Sequence, residues 1–173
     1  KLGEKYIITS KIKKLASSHG LKLDLKIFPK RDAYYSYPSN IALIYQLADY
    51  KVIYGIVELP KKIDLSQLDL RMHLDYSSSV IYDEKEVGLD NVNAKEIYSA
   101  IRNLVIIELI LKKQVDNRLA ISRIYELLGK HTALELKNNT PLISYKRIGY
   151  IMLNNLYKKV KKNVMALDTN IIW

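Results

Sequence analysis

The sequence predicts an α+β fold: a small mixed sheet with flanking helices over residues 1–82, followed by a helical domain over residues 93–173. Three observations carry this. Residues 21–28 alternate strictly: Leu21, Leu23, Leu25 and Ile27 face one way, and Lys22, Asp24, Lys26 and Phe28 face the other, as in a strand. From Asn93 onward, apolar residues recur at helical spacing. Between the two lies a polar, acidic stretch, 83–93, that contains Gly88 and suits a boundary.

The elements follow in order. Ile7, Ile8, Ile12, Leu15 and Ala16 recur at helical spacing over residues 5–18, with Lys11, Lys13 and Lys14 on the wet face. His19-Gly20 ends that helix, with Gly20 placed as its C-terminal cap. Strand 21–28 follows and stops at Pro29. After a Tyr-rich loop at 31–37, Pro38-Ser39 opens a helix to about residue 48, packed by Ile41, Ile44, Tyr45 and Ala48. Residues 51–54 form a short strand turned by Gly55, and residues 56–59 extend it.

Asp64 with Gln67 forms a capping-box pattern for a helix over about 65–76. Asn93 with Glu96 forms a second, and Ile97, Ala100, Ile101, Leu104, Val105 and Leu109 make a long buried stripe. Asn117 caps a short helix that ends at Gly129, and another short helix covers about 132–136. Thr140-Pro141 signals the start of a last helix over about 144–162, with Ile148, Ile151, Met152 and Leu156 inward.

Composition excludes several classes. With no Cys in 173 residues there is no disulfide scaffold, no Cys-ligated zinc and no thiol nucleophile. The lack fits a reducing compartment, and equally a hot habitat. No apolar run approaches the ~20 residues that cross a bilayer, and the run 104–107 is broken by Glu108. No signal-peptide pattern is present at the N-terminus, so a cytoplasmic location and no membrane partner are expected. The formal net charge of +10 favours polyanionic partners, nucleotides and nucleic acid among them, or describes a solvated Lys-rich surface.

Asp24 is the sharpest chemical candidate. A carboxylate fixed on a strand suits a hard cation such as Mg²⁺; the plainer reading is a solvent-facing Asp paired with its Lys neighbours. No P-loop, dinucleotide fingerprint or G-x-S-x-G occurs. His19, His73 and His131 follow no ligand spacing and read as surface or helix-end residues. Residues 117–138 permit a helix-turn-helix, although an ordinary helical hairpin suits the short second helix better. Lys158, Lys159, Lys161 and Lys162 lie near the end of the last helix, where they suit either phosphate contacts or the helix dipole.

The order of these pieces resembles the polymerase-β-like nucleotidyltransferase superfamily, in particular its small archaeal members with a helical C-terminal region. Helix 5–18 followed by Leu21-Lys-Leu-Asp24-Leu-Lys-Ile27 looks like the family's helix and the strand that bears its third carboxylate. The helix over 41–50 and the run Lys51-Val-Ile-Tyr54-Gly55 are similar to the elements that come next. Asn93-Ala-Lys-Glu-Ile-Tyr-Ser-Ala-Ile-Arg-Asn-Leu104 looks like the first helix of the C-terminal region. The resemblance spans most of the chain on loosely specific motifs.

The resemblance implies a nucleotidyltransferase-like sheet and transfer of a nucleotidyl group from a nucleoside triphosphate to a hydroxyl acceptor by a two-metal mechanism. Asp24 would bind the Mg²⁺ ion next to the acceptor hydroxyl or act as the base for that hydroxyl, and Lys22 and Lys26 would draw in the triphosphate. The family's Gly-Ser and Asp-x-Asp motifs do not occur in this sequence. They are expected upstream of Lys1, the other reading being an inactive relative. The alternative function is a non-catalytic module that binds nucleic acid or another protein, including a second copy of the chain through the helical half.

Overall fold

In a computed structural model the described residues are 2–21, 40–46 and 62–172, with side chains omitted at 2–8, 42 and 46. The chain forms two compact units, residues 1–35 and 36–173. The expected strands at 21–28 and 51–59, and with them Lys22, Asp24 and Lys26, lie outside the described residues, apart from Leu21 itself.

The first unit contributes helix α1, Leu2–Ser18. It ends as its sequence predicts. Gly20 takes φ +70°, and the N–H groups of Leu21 and Gly20 reach back to the carbonyls of Ala16 and Ser17. This pairing satisfies two of the carbonyls that every helix leaves open at its end.

The second unit is mostly helical. In order it holds α2 (Ile41–Gln46), β1 (Asp64–Leu65), α3 (Gln67–Val87), α4 (Ala94–Leu111), α5 (Asn117–Leu128), α6 (Lys130–Lys137), α7 (Ile143–Met165) and β2 (Ile171–Ile172). Among the described residues the sheet is a single antiparallel pair, with Asp64 opposite Ile172 and Leu65 opposite Ile171. This pair brings the end of the chain back beside the start of α3. Asn170 Nδ2 donates to Asp64 Oδ1 at 2.8 Å, and Gln67 Nε2 donates to the carbonyls of Met165 and Leu167.

Helix α4 is the axle of the unit. Its residues Ile97, Ala100, Ile101, Leu104, Val105, Ile107, Leu109 and Ile110 are buried, and α3, α5, α6 and α7 all pack on it. A helix apolar on nearly every side sits inside a bundle rather than on its surface. The stripe expected over 97–109 is therefore present and wider than the sequence indicated. Asn93 caps α4 as expected, accepting from the Lys95 N–H at 2.8 Å.

Three expected element starts move. The helix expected over 65–76 spans Gln67–Val87, and its capping box is Ser66 with Asp69 rather than Asp64 with Gln67. Ser66 Oγ accepts from the Asp69 N–H, and Asp69 Oδ2 accepts from the Ser66 N–H at 2.8 Å. Asp64 is committed to strand pairing instead. At α5 the cap is Asp116, whose carboxylate accepts from the Arg118 and Leu119 N–H groups. Asn117 turns inward and donates to the Tyr45 carbonyl at 3.0 Å. At α2, Asn40 provides the cap bond to Leu43 N.

Residues 83–93 hold the last turn of α3, its cap at Gly88 (φ +79°) and the turn into α4. Both helices bury side chains in one core.

Helix α7 corrects a second expectation. Ile148 and Ile151, expected inward, are 46 % and 56 % exposed. Its buried line is Lys146, Gly149, Leu153, Leu156, Val160 and Val164. Gly149 permits this rotation, because a Cβ there would fall 2.7 Å from Leu136 Cδ1 on α6 and 3.0 Å from Ile97 Cγ2 on α4. Lys146 is buried with its ammonium donating to the Asp90 carbonyl at 2.8 Å, which ties α7 to the turn before α4.

Candidate functional site

Helices α2, α3 and α4 enclose a cavity of about 220 Å³ lined by Ile41, Tyr45, His73, Tyr76, Ser99, Arg102, Asn103 and Ile106. Each helix supplies a different chemistry. From α2 come Ile41 and Tyr45, both buried, which form an apolar wall with Ile106. From α3, His73 and Tyr76 lie three residues apart and so share one face. From α4, Ser99, Arg102, Asn103 and Ile106 recur at three- and four-residue steps and so line one side.

The wall is held from behind. Tyr45 Oη donates to the Gln114 carbonyl at 3.1 Å, and the Tyr45 carbonyl accepts from Asn117. Two bonds about 70 residues away along the chain therefore anchor a six-residue helix that could not persist alone. Burial pushes the Tyr45 hydroxyl up to about 12, so it stays protonated and acts as a donor.

His73 was expected at the surface. It is instead half-buried in the cavity wall, and its carbonyl accepts from Asn103 Nδ2 at 2.6 Å. Burial holds the His73 imidazole below its ordinary value, outweighing the Asp69 carboxylate and the Asn103 amide, which act the other way. His73 thus presents a neutral ring with one donor and one acceptor nitrogen. Burial raises the Tyr76 hydroxyl, against a side-chain hydrogen bond with Ser99.

Arg102 reaches the rim, and among the described residues no carboxylate pairs with it. The cavity therefore combines a guanidinium that makes no ion pair among the described residues, two hydroxyls, an amide and a neutral imidazole with an apolar wall. That set favours an anionic group attached to an apolar or aromatic one.

The other two histidines sit where the sequence placed them. His19 lies at the exposed end of α1, with Nδ1 3.0 Å from the Leu15 carbonyl. His131 is exposed on α6, with Nε2 2.8 Å from Tyr145 Oη. Among the described residues no group of three His, Asp or Glu side chains is placed to hold a metal ion. No helix among them is long and apolar enough to cross a membrane.

A second polar centre was missed in the sequence. Glu108, 4 % exposed, accepts from Lys159 Nζ at 2.7 Å and from Arg123 Nε at 3.2 Å, and Arg123 also holds Glu126 at 2.9 Å. Burial alone would raise the Glu108 carboxyl, but the hydrogen bonds and charges of Lys159 and Arg123 outweigh it and hold the group below its ordinary value. The shallow cleft beside it, about 150 Å³, is lined by Arg123, Lys159, Leu127, Met152, Asn155 and Leu156. Its cations are already spent on carboxylates, so it is a tie between α4, α5 and α7 and not a receptor for an anion. The one sequence signal was an acid inside an apolar run.

Compared with known protein families, curated proteins and solved structures, the chain matches none.

Proposed function

We propose that this chain is the nucleotide-binding part of a metal-dependent nucleotidyltransferase, with the α2–α3–α4 cavity as the pocket that receives one end of a nucleoside triphosphate. The observation that carries the reading is Arg102, a cation without a carboxylate partner among the described residues, at the mouth of a cavity walled by Tyr45, Ile41 and Ile106. A guanidinium fork matches phosphate oxygens in a bidentate way, and an apolar aromatic wall suits a base or ribose. At about 220 Å³ the cavity is smaller than the ~300–1,000 Å³ of pockets that enclose a whole drug-sized ligand. It therefore suits one group of the nucleotide, the remainder lying outside.

The chemistry rests separately on the resemblance around Asp24, which is independent of the cavity. Asp24 would hold the Mg²⁺ ion next to the acceptor hydroxyl or serve as its base, and bound Mg²⁺ would supply charge stabilisation for the transfer. Lys22 and Lys26, two residues to either side of it in the sequence, would attract the phosphates and keep Asp24 ionised.

The two halves are tested separately. Titration of a fluorescent nucleoside triphosphate with Mg²⁺ into the full chain should show saturable binding that Arg102→Gln weakens ~10–100-fold, the worth of a hydrogen bond to a charged group. Undiminished binding in that variant removes the pocket from the proposal. Asp24→Asn, assayed with labelled nucleoside triphosphate, should lower transfer by orders of magnitude with little change in stability. A protein that binds triphosphate yet transfers nothing, with or without Asp24, is a binding module.

A further inference from the structure

Helix α7 carries Lys146, Arg147, Lys158, Lys159, Lys161 and Lys162, and no carboxylate in its 23 residues. Two of these cations are committed to the fold: Lys146 to the Asp90 carbonyl and Lys159 to Glu108. The other four are exposed, and among the described residues none pairs with a carboxylate. At 100° per residue, Arg147, Lys158, Lys161 and Lys162 fall within about 100° of one another, on the side away from Leu153, Leu156 and Val160. Lys158, Lys161 and Lys162 cluster within roughly 6 Å along the axis, and Arg147 stands roughly 16 Å before them, at 1.5 Å per residue. Lys161 lies over the Tyr157 ring, 5.6 Å from its centre, which holds that ammonium at the surface.

We propose that this outer face of α7 docks on the phosphate backbone of a nucleic-acid duplex. Charge complementarity identifies the occupant: a row of like charges on a rigid helix costs self-repulsion unless a regular array of anions lies along it. An anionic lipid surface fits less well, because a membrane-surface helix needs a free apolar face to insert. The buried side of α7 is spent in the core, and its exposed apolar residues, Ile143, Ile148, Ile151 and Met165, are separate side chains spaced along the helix. Tyr157, the aromatic residue beside the lysines, is covered by Lys161 and half-buried, so it offers no platform for an unstacked base. The face thus contacts phosphates and reads no sequence. This inference does not depend on transfer chemistry at Asp24 or on the Arg102 pocket.

The test is fluorescence anisotropy of a labelled 20-base-pair duplex with the full chain between 50 and 200 mM salt. Each phosphate contact contributes about −0.9 to the slope of log affinity against log salt, so four contacts give about −3.6. The triple variant Lys158→Gln/Lys161→Gln/Lys162→Gln should flatten the slope by about 2.7 and weaken binding at least ~10-fold at low salt. Lys159→Gln should leave the slope unchanged, since that ammonium is held by Glu108. Circular dichroism melts establish that each variant folds; if the triple variant does not, Arg147→Gln alone should flatten the slope by about 0.9. An unchanged slope in the folded charge-neutral variants overturns the proposal. So does a wild-type chain that sediments with phosphatidylserine vesicles but does not bind the duplex.

Discussion

Helix α4 bears two polar centres, about 120° apart around its axis, and they are built on opposite arrangements of charge. At Glu108 a buried carboxylate is met by Arg123 and Lys159 at 3.2 and 2.7 Å, and every charge has its counterpart. At Arg102 a cation stands at a cavity with no carboxylate partner among the described residues. The first arrangement holds three helices together and leaves nothing for a ligand. The second contributes little to holding the fold and leaves a guanidinium available. Compensation, more than the presence of charge, separates the structural centre from the one proposed to bind.

The comparison breaks most visibly at Glu108. Replacing it by Ala leaves Lys159 without its anion and Arg123 with Glu126 alone, and removing one partner of a buried pair costs about 3–5 kcal/mol. Arg123 and Lys159 can turn to solvent, being 33 % and 55 % exposed, so about 2–3 kcal/mol is expected here in urea unfolding. The pH dependence has a definite sign. The folded carboxyl lies below its ordinary value, so its contribution is complete above that value and is lost as pH falls through the lowered one. Glu108→Gln should flatten this acid limb. An acid limb identical to wild type would mean that the ion pairs contribute nothing.

His73 provides a smaller effect. Its folded value lies below the ordinary 6.5, so the unfolded chain takes up the proton first. Stability is complete above about 6.5 and declines as pH falls towards the lowered folded value. His73→Asn should remove that part of the decline, and a bound triphosphate, whose negative charge favours the imidazolium, should make the decline shallower. The smallest effect belongs to Arg102. Arg102→Gln should change unfolding free energy by less than about 0.5 kcal/mol, as exposed unpaired groups do. A loss comparable to that at Glu108 would mean that Arg102 is structural after all.

Of the candidate site, the sequence revealed little. His73 read as a surface residue because no ligand spacing surrounds it, and its partners Ser99, Arg102 and Asn103 lie on another helix. Glu108 showed only as a break in an apolar run, because Arg123 and Lys159 follow 15 and 51 residues later. Lys22, Asp24 and Lys26 fall outside the described residues, so the resemblance that singles them out stands beside the cavity as an independent line of reasoning.

What the sequence determined by itself is local. Helical period placed α4 and α7 to within a few residues, and Gly20 and Gly129 mark helix ends because each takes a positive φ that other residues resist. Asn93 caps α4 through a bond two residues long. Choices between equivalent local options were made only by the tertiary structure. Ser66 and not Asp64 caps α3, because Asp64 pairs with Ile172 more than a hundred residues later. In α7 the isoleucines at 148 and 151 form as good an apolar stripe as Leu153, Leu156 and Val160. Gly149, where a Cβ would fall 2.7 Å from Leu136 and 3.0 Å from Ile97, favours the stripe that turns inward. A helix carries its period in its own residues, but its rotation is set by the surface it meets.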